Sequence, residues 1–363
     1  MKIAFVIGLY PNQIGGAEMQ AREIAFALKE RGHSIYYACY SGVKYTSEDF
    51  DVTIIDNKSK WDIFYYGTKR KLYNALDKIK PDLVYHRAFV PYSRFVAQWC
   101  YQNDVPFYFH SADIYTLIRK NNTLYNIIEN HWLKYTLKYA TGVICQNEEQ
   151  FEALRKFQLQ KKRIIYNIQR KNTSPINKKK NKNVVWIAKF ESAKQPELFV
   201  NLAEHYLDKD VTFTMFSSKC PKTEKNESLL KRIKVCKQIT LIEGKDNTFI
   251  NEFLCSTASV LVNTSVSEGI SNTFIQAWMR GVPVVSLNSN PDRWFDENLI
   301  GGCCNGDTEM MEYYVAKIMS EKEYSKYSHA SIIFAESKFS PEVIIPQMEK
   351  FMLLSTNKEW KQV

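Results

Sequence analysis

The sequence has no apolar run long enough to span a membrane, and its first residues do not form a secretion signal. The opening "MKIAFVIGLYP" carries only a short apolar stretch before polar sequence begins. Eight cysteines are present, but none forms a C-x-x-C pair and none has a histidine at a zinc-ligand spacing. We therefore expect no spanning helix, no disulfide framework and no metal site, and we predict a reducing, cytoplasmic location.

The sequence also lacks a dinucleotide-binding fingerprint. A Rossmann site requires G-x-G-x-x-G directly after the first strand, whereas Gly8 stands alone and Gly15 and Gly16 come together only at the next helix. NAD binding is therefore disfavoured. The glycine pair instead exposes backbone N–H groups at the start of a predicted helix, 17–31, where a phosphate or a sugar hydroxyl can approach. A flexible loop is the structural alternative.

Negative charge is in deficit, since the formal net charge is +10. Such an excess is compatible with nucleic acid, an anionic membrane or an anionic small substrate. In the segment 58–80, Trp61, Phe64, Tyr65 and Tyr66 alternate with lysines and an arginine. This pattern suits an anionic lipid surface rather than nucleic acid, although an ordinary solvated helix explains it equally well.

Short apolar runs alternate with stretches long enough for helices, which is the βαβ pattern of a parallel sheet. With 363 residues and 45% hydrophobic content, the chain can bury two cores. We therefore predict an α/β protein of two Rossmann-like, doubly wound domains with a ligand cleft between them. The predicted strands are 2–7, 52–56, 82–86, 106–110, 142–146, 163–167, 184–188, 211–216, 239–243, 259–263 and 283–287.

A polar, basic stretch, "RKNTSPINKKKNKN", separates the two series of strands and is typical of a linker. The predicted organisation is a first domain over 1–170, a linker over 171–183, a second domain over 184–340 and a final helical segment over 341–363.

Two cations follow the first strand of the second domain. Lys189 comes directly after the strand at 184–188, and Lys194 comes five residues later. Ligands bind at the carboxyl ends of parallel strands in doubly wound folds, so both ammonium groups are candidates for an anionic substrate.

A carboxylate and a capped helix follow a second strand of the same domain. Glu268 lies beyond the strand at 259–263, and a helix is predicted to begin near Asn272, with Ser271 or Asn272 as its N-cap. The positive end of this helix points toward the same crevice as the two lysines. A diphosphate fits between the cations and the helix, although Glu268 could also be a simple helix N-terminal acid.

Several segments resemble the family-four retaining nucleotide-sugar glycosyltransferases, which have the GT-B fold of two facing Rossmann-like domains. The family signature has two glutamates with seven residues between them; Glu268 occupies the first position and Gln276 replaces the second. The resemblance extends over nearly the whole chain, in "IGGAEMQAREIAFALKERGHSI", "PDLVYHR", "FYFHSADI", "VICQNEEQ", "IAKFESAKQPELFV", "SEGISNTFIQAWMRGVPVVSLNSNPD" and the glycine-containing "IGGCCNGD", which matches a segment after the last strand.

The resemblance implies a donor site in the second domain. Glu268 would lie beside the donor sugar, and Gln276 would hold the ribose hydroxyls with an acceptor oxygen but no charge. Lys194 matches the lysine of the family's diphosphate-binding pair, and Lys189 stands where the family has arginine, so it lacks the bidentate fork. The donor-binding residues of the helix entrance would be Gly269, Ile270, Ser271, Asn272 and Thr273.

The resemblance also implies a contribution from the first domain, to which the final helix would return. Gly15 and Gly16 match a loop that closes over the donor phosphate and sugar. His110 and Asp113 match a loop near the anomeric carbon and the acceptor; by itself, His110 would be a core-edge histidine. Apart from the resemblance, the position of Arg87 after "LVYH" predicts a contact with the acceptor or, equally, a salt bridge.

The implied activity is metal-independent, retaining hexosyl transfer from a UDP-sugar, in preference to a GDP-sugar. The acceptor would be a hydroxyl of a glycan or a lipid-linked oligosaccharide in bacterial surface polysaccharide synthesis, at the inner face of the membrane. No cofactor is expected, because the nucleotide sugar is a substrate. The implied catalytic residues are His110, Glu268, Lys189 and Lys194.

Two other functions remain open at this point. A sugar-nucleotide epimerase shares the architecture but needs acid and base carboxylates around C2, which the sequence does not identify. A non-catalytic partner subunit would keep the fold without turnover, and the substitutions at Gln276 and Lys189 keep that alternative open.

Overall fold

A computed structural model describes residues 1–40, 46–55, 64–159, 161–171, 182–207 and 209–353. The chain forms two units: unit 1 comprises Met1–Ile168 and Pro341–Val363, and unit 2 comprises Gln169–Ser340. Most of the predicted linker, 171–183, lies outside the described residues, as does the end of the predicted final segment, 354–363.

Unit 1 is built on one parallel sheet, as the βαβ pattern predicts. Its described strands are β1 Lys2–Val6, β2 Ser34–Cys39, β3 Asp51–Ile54, β4 Leu83–Arg87, β5 Phe107–His110, β6 Gly142–Cys145 and β7 Lys162–Ile164. Their order in the sheet is β3-β2-β1-β4-β5-β6-β7, so the winding reverses between β1 and β4. Ligands of doubly wound folds bind beyond the carboxyl ends of the strands at such a reversal.

Helices cover both faces of this sheet because each carries one apolar stripe. In α1, Gly16–Glu30, the buried side chains recur at three- and four-residue spacing, from Ala21 through Leu28, and they pack with Met348 of α14, Pro341–Leu353, on one face. Leu72 of α2, Tyr66–Ile79, and Val96 of α3, Ser93–Gln102, belong to the core on the other face. The described helices of unit 1 are α1 Gly16–Glu30, α2 Tyr66–Ile79, α3 Ser93–Gln102, α4 Tyr115–Ile118, α5 Leu124–Lys138, α6 Glu148–Ala153 and α14 Pro341–Leu353.

The last helix, α14, is bound to unit 1 by polar as well as apolar contacts. Glu349 pairs with Arg31 at 2.7 Å and with His33 at 3.0 Å, just beyond the end of α1. The hydrogen bond from Arg31 is the main reason that the pKa of Glu349 lies below its ordinary value. Tyr108 Oη also donates to the carbonyl of Met352 at 2.8 Å. These contacts make α14 a structural part of unit 1.

Unit 2 repeats the same architecture with a second parallel sheet. Its described strands are β8 Asn183–Ile187, β9 Thr212–Ser217, β10 Ile239–Glu243, β11 Val260–Asn263, β12 Val284–Ser286 and β13 Gly301–Cys303, in the order β10-β9-β8-β11-β12-β13. The winding reverses between β8 and β11. The described helices are α7 Pro196–His205, α8 Glu224–Val235, α9 Asn247–Ser256, α10 Asn272–Met279, α11 Trp294–Glu297, α12 Thr308–Ile318 and α13 Glu321–Phe339.

The prediction of two doubly wound parallel sheets is confirmed, but two strands were missed. β2, "SIYYAC", contains one branched aliphatic residue, Ile35, beside two tyrosines and an alanine, so it is not an evident run of branched apolar residues. β13 lies within "IGGCCNGD", which is therefore the last strand itself and not a segment that follows it. A Cβ on Gly301 would lie 1.7 Å from the Val284 carbonyl oxygen, at a φ of +143°, so close backbone approach selects glycine there.

Candidate functional site

The two loops that follow β8 and β11 are tied together at the switch point of unit 2. Trp186 Nε1 donates to Thr264 Oγ1 at 2.9 Å, and that hydroxyl donates to the Lys194 carbonyl at 2.6 Å. The amide of Val266 also donates to the carbonyl of Ala193 at 2.9 Å. Because Trp186 and Thr264 are both buried, these bonds fix the backbone at Lys194 relative to the β11 loop.

Lys194 and Glu268 meet directly across these loops. Lys194 Nζ donates to Glu268 Oε1, and Ser265 Oγ donates to the same oxygen at 3.0 Å. The Glu268 amide in turn donates to Ser289 Oγ at 2.8 Å. The two charged side chains keep 25% and 20% of their exposure, so the pair is oriented by the protein but remains open to a ligand. The Glu268 carboxylate therefore accepts from Lys194 and Ser265, and it does not cap a helix.

Lys189, the other predicted cation, lies in a different environment. Its ammonium group is 4.0 Å from Glu191 Oε1, and the side chain is 67% exposed. A solvent-exposed pair at this separation contributes little to stability. The structure therefore orients Lys194 with neighbouring groups and leaves Lys189 on the surface, where a long side chain can still reach an anion.

The helix that follows Glu268 begins as the sequence predicts. α10 starts at Asn272 with Ser271 at the N-cap position. The Ser271 hydroxyl lies 2.9 Å from Thr273 Oγ1 and makes no side-chain bond to a backbone N–H of the helix. Gly269 and Ile270 connect Glu268 to this entrance, so the positive end of α10 follows Glu268 in the chain by only a few residues.

Gln276, the predicted ribose-binding residue, is only 2% exposed. Its Nε2 donates to Asn247 Oδ1 at 3.0 Å, at the start of α9. The backbone carbonyl of Gln276 accepts from Arg280 Nη1 at 3.0 Å. The neighbouring Asn247 escaped the sequence analysis because nothing in its local sequence connects it to α10.

In unit 1 the glycine pair lies at the end of the loop that follows β1. Gly15 is the N-cap residue of α1, at φ −164° and ψ 159°, a conformation that any residue adopts. The constraint is space, since a Cβ there would lie 2.1 Å from Glu18 Oε2. Gln13 Nε2 donates to the other oxygen of the same carboxylate at 3.1 Å. Gly16 then opens α1 one residue earlier than predicted.

A buried polar cluster occupies the carboxyl ends of β4 and β5. His110 Nδ1 lies 2.7 Å from Tyr85 Oη and 3.3 Å from Arg87 Nη1. All three residues are nearly inaccessible to solvent. Burial, followed by the positive charge of Arg87, holds the pKa of His110 well below its ordinary value. Tyr85 was missed by the sequence analysis, although it lies two residues from Arg87 and therefore on the same face of β4.

The cluster extends through neutral amides toward β6 and β7. Arg87 Nη2 donates to Asn167 Oδ1 at 2.6 Å, and Asn167 Nδ2 donates to Gln146 Oε1 at 3.0 Å. Gln146 Nε2 donates to the Ser111 carbonyl at 2.7 Å. In the part of the chain that the structure describes, Arg87 has no carboxylate partner, so the alternative of a salt bridge is wrong within these residues.

Asp113 is engaged in local structure. Its Oδ1 accepts from the Thr116 amide at 2.7 Å, and its Oδ2 accepts from the Thr116 hydroxyl at 3.0 Å. These bonds stabilise the turn that begins α4. The structure therefore gives Asp113 a capping contact, and its predicted role near the acceptor stays a prediction.

The aromatic and basic segment is only partly described, because 56–63, which includes Trp61, lies outside the described residues. Phe64 and Tyr66 are 54% and 66% exposed at the start of α2. Lys69 Nζ lies 5.2 Å from the ring centroid of Tyr73 and 5.3 Å from that of Phe95. Among the described residues, no helix combines the length and the apolar character needed to cross a bilayer.

A cavity of about 720 Å³ lies at the opposite edge of the unit 1 sheet, where β6 and β7 begin. None of the predicted site residues lines it. Its walls are contributed by Tyr101, Lys134, Leu137, Lys138, Tyr139, Ala140, Thr141, Val143, Lys156, Phe157, Gln158, Leu159 and Lys161.

Two family sequence models match the chain. The model described as Glycosyltransferase Family 4 matches residues 14–168, and the model described as Glycosyl transferases group 1 matches residues 181–319. Together they account for most of both units. No curated protein sequence matches the chain significantly.

Solved structures of glycosyltransferases share the fold over the whole chain. Anabaena HepE, solved with UDP-glucose, superposes with a TM-score of 0.76 at 15% identity, covering 98% of this chain and 100% of its own. The lipopolysaccharide outer core galactosyltransferase WaaB gives 0.71 at 13% identity, with coverages of 98% and 99%. WaaG, a glycosyltransferase of lipopolysaccharide biosynthesis, gives 0.69 at 14% identity, with coverages of 96% and 99%. The predicted GT-B fold is confirmed.

Proposed function

Since the chain belongs to the family-four type of glycosyltransferases with the GT-B fold, we propose that it is a retaining hexosyltransferase that uses a UDP-sugar. The acceptor is a hydroxyl of a glycan or a lipid-linked oligosaccharide in bacterial surface polysaccharide synthesis. The choice of UDP is supported by the complex of the similar Anabaena HepE with UDP-glucose. The choice of acceptor is supported by the lipopolysaccharide functions of WaaB and WaaG.

The observation that carries this proposal is the Lys194–Glu268 pair at the switch point of unit 2. Lys194 is held by its backbone carbonyl on Thr264 and by its ammonium group on Glu268. A cation that is already oriented stabilises developing negative charge without reorganising during the reaction. In this proposal unit 2 binds the donor, and Lys194 with the positive end of α10 binds the diphosphate.

The proposed reaction breaks the bond between the anomeric carbon and the UDP oxygen. The electron pair goes to UDP, whose charge Lys194 offsets, and the acceptor hydroxyl attacks the same face of the sugar. The proton of that hydroxyl passes to the departing diphosphate oxygen, so charge and atoms balance. Glu268 keeps Lys194 in place and hydrogen-bonds the donor sugar. No cofactor or metal enters this scheme, because the charge of the leaving group falls to Lys194 and α10.

The other predicted site residues bind the donor or the acceptor in the proposed reaction. Lys189 reaches the diphosphate from the surface, and Gln276 holds the ribose hydroxyls. In unit 1, the loop at Gly15 and Gly16 binds a phosphate or a sugar hydroxyl of the donor, and Arg87 contacts the acceptor. The donor-side entrance is formed by Gly269, Ile270, Ser271, Asn272 and Thr273.

We also propose that the protein works at an anionic membrane surface, on the inner face. The support is chemical: Phe64 and Tyr66 are exposed beside the basic face of α2, where Arg70 and Lys71 are also exposed. Exposed aromatic and basic side chains on one helix suit the boundary between headgroups and acyl chains.

One observation favours a second function, that of a non-catalytic partner subunit. Gln276 is a neutral amide whose Nε2 already donates to Asn247, where the family signature has a carboxylate. Such a protein would bind UDP without turning over a UDP-sugar.

Release of UDP from a panel of UDP-sugars tests the proposal. A UDP-sugar that binds should first be identified by thermal shift, because a ligand at 100 times its Kd stabilises the folded state by about 2.7 kcal/mol. Lys194→Met should then lower kcat/KM by about 10²- to 10³-fold, the usual loss when one preorganised electrostatic contact to a developing anion is removed.

The matched control removes another lysine from an ion pair in unit 2. Lys326 lies 2.9 Å from Glu323 on α13, and Lys326→Met should leave turnover unchanged. Equal turnover by wild type and Lys194→Met would refute the site. UDP binding by a protein that hydrolyses no UDP-sugar, alone or with acceptor glycans, would favour the partner subunit.

A further inference from the structure

The tautomer of His110 is determined by the chemistry of its two neighbours. An arginine side chain has only N–H donors, so a bond from Arg87 Nη1 to His110 Nδ1 requires a lone pair on Nδ1. Nδ1 has one lone pair, so Tyr85 Oη, at 2.7 Å, and Arg87 share it in a three-centre hydrogen bond in which both are donors. The phenol is available as a donor, because burial raises the pKa of Tyr85 above its ordinary value. The single proton of a neutral imidazole is left on Nε2.

His110 Nε2 is buried and has no hydrogen-bond partner among the described residues. A buried N–H without a partner destabilises the folded state, so such groups persist where a ligand or a water completes them. The residue ends β5, at the carboxyl edge of the sheet where doubly wound folds bind their ligands.

We propose that Tyr85 and Arg87 are positioning residues that lock His110 as the neutral Nε2–H tautomer, a hydrogen-bond donor to an oxygen of the bound sugar. The placement of a sugar there rests on the proposed function, whereas the tautomer does not. In this state His110 is not the base for the acceptor hydroxyl, because its one lone pair, on Nδ1, already accepts from Arg87 and Tyr85.

Among the described residues around His110, none carries a negative charge that would favour its protonation. Arg87 is a fixed positive charge on the neighbouring strand, and Tyr85 is neutral. The next polar groups, Asn167 and Gln146, are uncharged amides. No described carboxylate reaches the ring to stabilise an imidazolium. The donor state of His110 is therefore independent of pH across the range in which histidines usually titrate.

His86 provides an internal reference with the opposite tautomer. Its Nδ1 lies 2.5 Å from the Val6 carbonyl, which can only accept, so Nδ1 carries the proton. Its Nε2 then accepts from the Ser93 hydroxyl at 2.6 Å. The two buried histidines of unit 1 should therefore show opposite nitrogen protonation patterns in one spectrum.

Long-range ¹H–¹⁵N correlation of the ¹⁵N-histidine-labelled full chain tests the tautomer directly. His110, assigned from the signals lost in His110→Gln, should show a protonated Nε2 and an unprotonated Nδ1 from about pH 5 to about pH 8. A protonated Nδ1, a mixture of tautomers or a titration near pH 6.5 in the wild type would overturn the proposal, whether or not the protein turns over a UDP-sugar.

Variants of the two neighbours test the locking. Tyr85→Phe and Arg87→Gln each leave one donor on Nδ1, and the combined variant should populate both tautomers. For Tyr85→Phe, kcat/KM for UDP release should fall about fivefold, the usual effect of one neutral hydrogen bond. A combined variant that folds and still shows only the Nε2–H form would contradict a locking role, and the wild-type spectrum decides the tautomer even if this variant does not fold.

Discussion

Thr264→Val should loosen the two loops that meet at the switch point of unit 2. Valine has nearly the shape of threonine, so the packing volume is kept and only the hydroxyl is lost. That hydroxyl accepts from Trp186 Nε1 at 2.9 Å and donates to the Lys194 carbonyl at 2.6 Å. Thr264 is completely buried, so bulk solvent does not take the place of the lost hydroxyl in the folded protein.

The expected cost follows from the two groups left without partners. An unsatisfied buried donor or acceptor costs about 1–3 kcal/mol, and the variant leaves one donor, Trp186 Nε1, and one acceptor, the Lys194 carbonyl, without this partner. We expect the unfolding free energy of unit 2 to fall by about 3 kcal/mol. This value is in the lower half of the range for two unsatisfied groups, because the loops can relax. Since the Lys194 backbone is one of the released groups, UDP affinity should fall as well, by about tenfold.

Urea unfolding and UDP titration measure these two effects separately. Unfolding is followed by tryptophan fluorescence, to which Trp186 contributes, and UDP binding is measured by calorimetry. Thr264→Ser is the matched control, because it keeps the hydroxyl and loses one methyl group, at a cost of about 1 kcal/mol. If the valine variant stays within about 0.5 kcal/mol of wild type, or the serine variant loses as much as the valine variant, the hydroxyl does not hold the loops.

Two further predictions concern unit 1. Each basic residue near an anionic bilayer contributes about 1 kcal/mol of binding free energy, so replacing Arg70 and Lys71 by glutamine should weaken binding to anionic vesicles, measured by cosedimentation, about thirtyfold. The same changes at Lys231 and Lys234 of α8 are the control and should leave binding unchanged. Unchanged binding after the changes at Arg70 and Lys71 would reject the proposed membrane surface. Burial lowers the pKa of His86 to about 4. Below about pH 6.5 the unfolded chain therefore binds a proton that the folded chain excludes, and the unfolding free energy should fall by roughly 3 kcal/mol from about pH 6.5 to about pH 4. In His86→Asn the unfolding free energy should depend less steeply on pH.

The architecture was predictable because it depends on patterns that repeat along the chain. Branched apolar runs such as 184–188 recur between many of the helical stretches, and the polar interval near residue 175 separates the two series. The misses have a physical reason. Gly301 belongs to a strand because the backbone of Val284 approaches it closely. This is a tertiary contact, which local β-propensity does not predict.

The sequence predicted those residues of the candidate site that follow strands. It did not predict the residues that hold these side chains and their loops in place by hydrogen bonds. Lys194 and Glu268 stand at strand ends beside a helix start, so their places could be derived. Thr264 gives no such signal, because a single threonine after a strand is common in any loop. Tyr85 could have been placed on the face of Arg87 from strand alternation alone, but the pairing of Arg87 with His110 depends on the register between β4 and β5.

The return of α14 to unit 1 has a consequence for synthesis on the ribosome. Unit 2 is contiguous in the chain and can reach its native packing as soon as it has emerged. Unit 1 cannot, since the partner that covers α1 is translated after unit 2 is finished. Until then the apolar stripe of α1 stays partly uncovered, so unit 1 begins to be made before unit 2 and is completed after it.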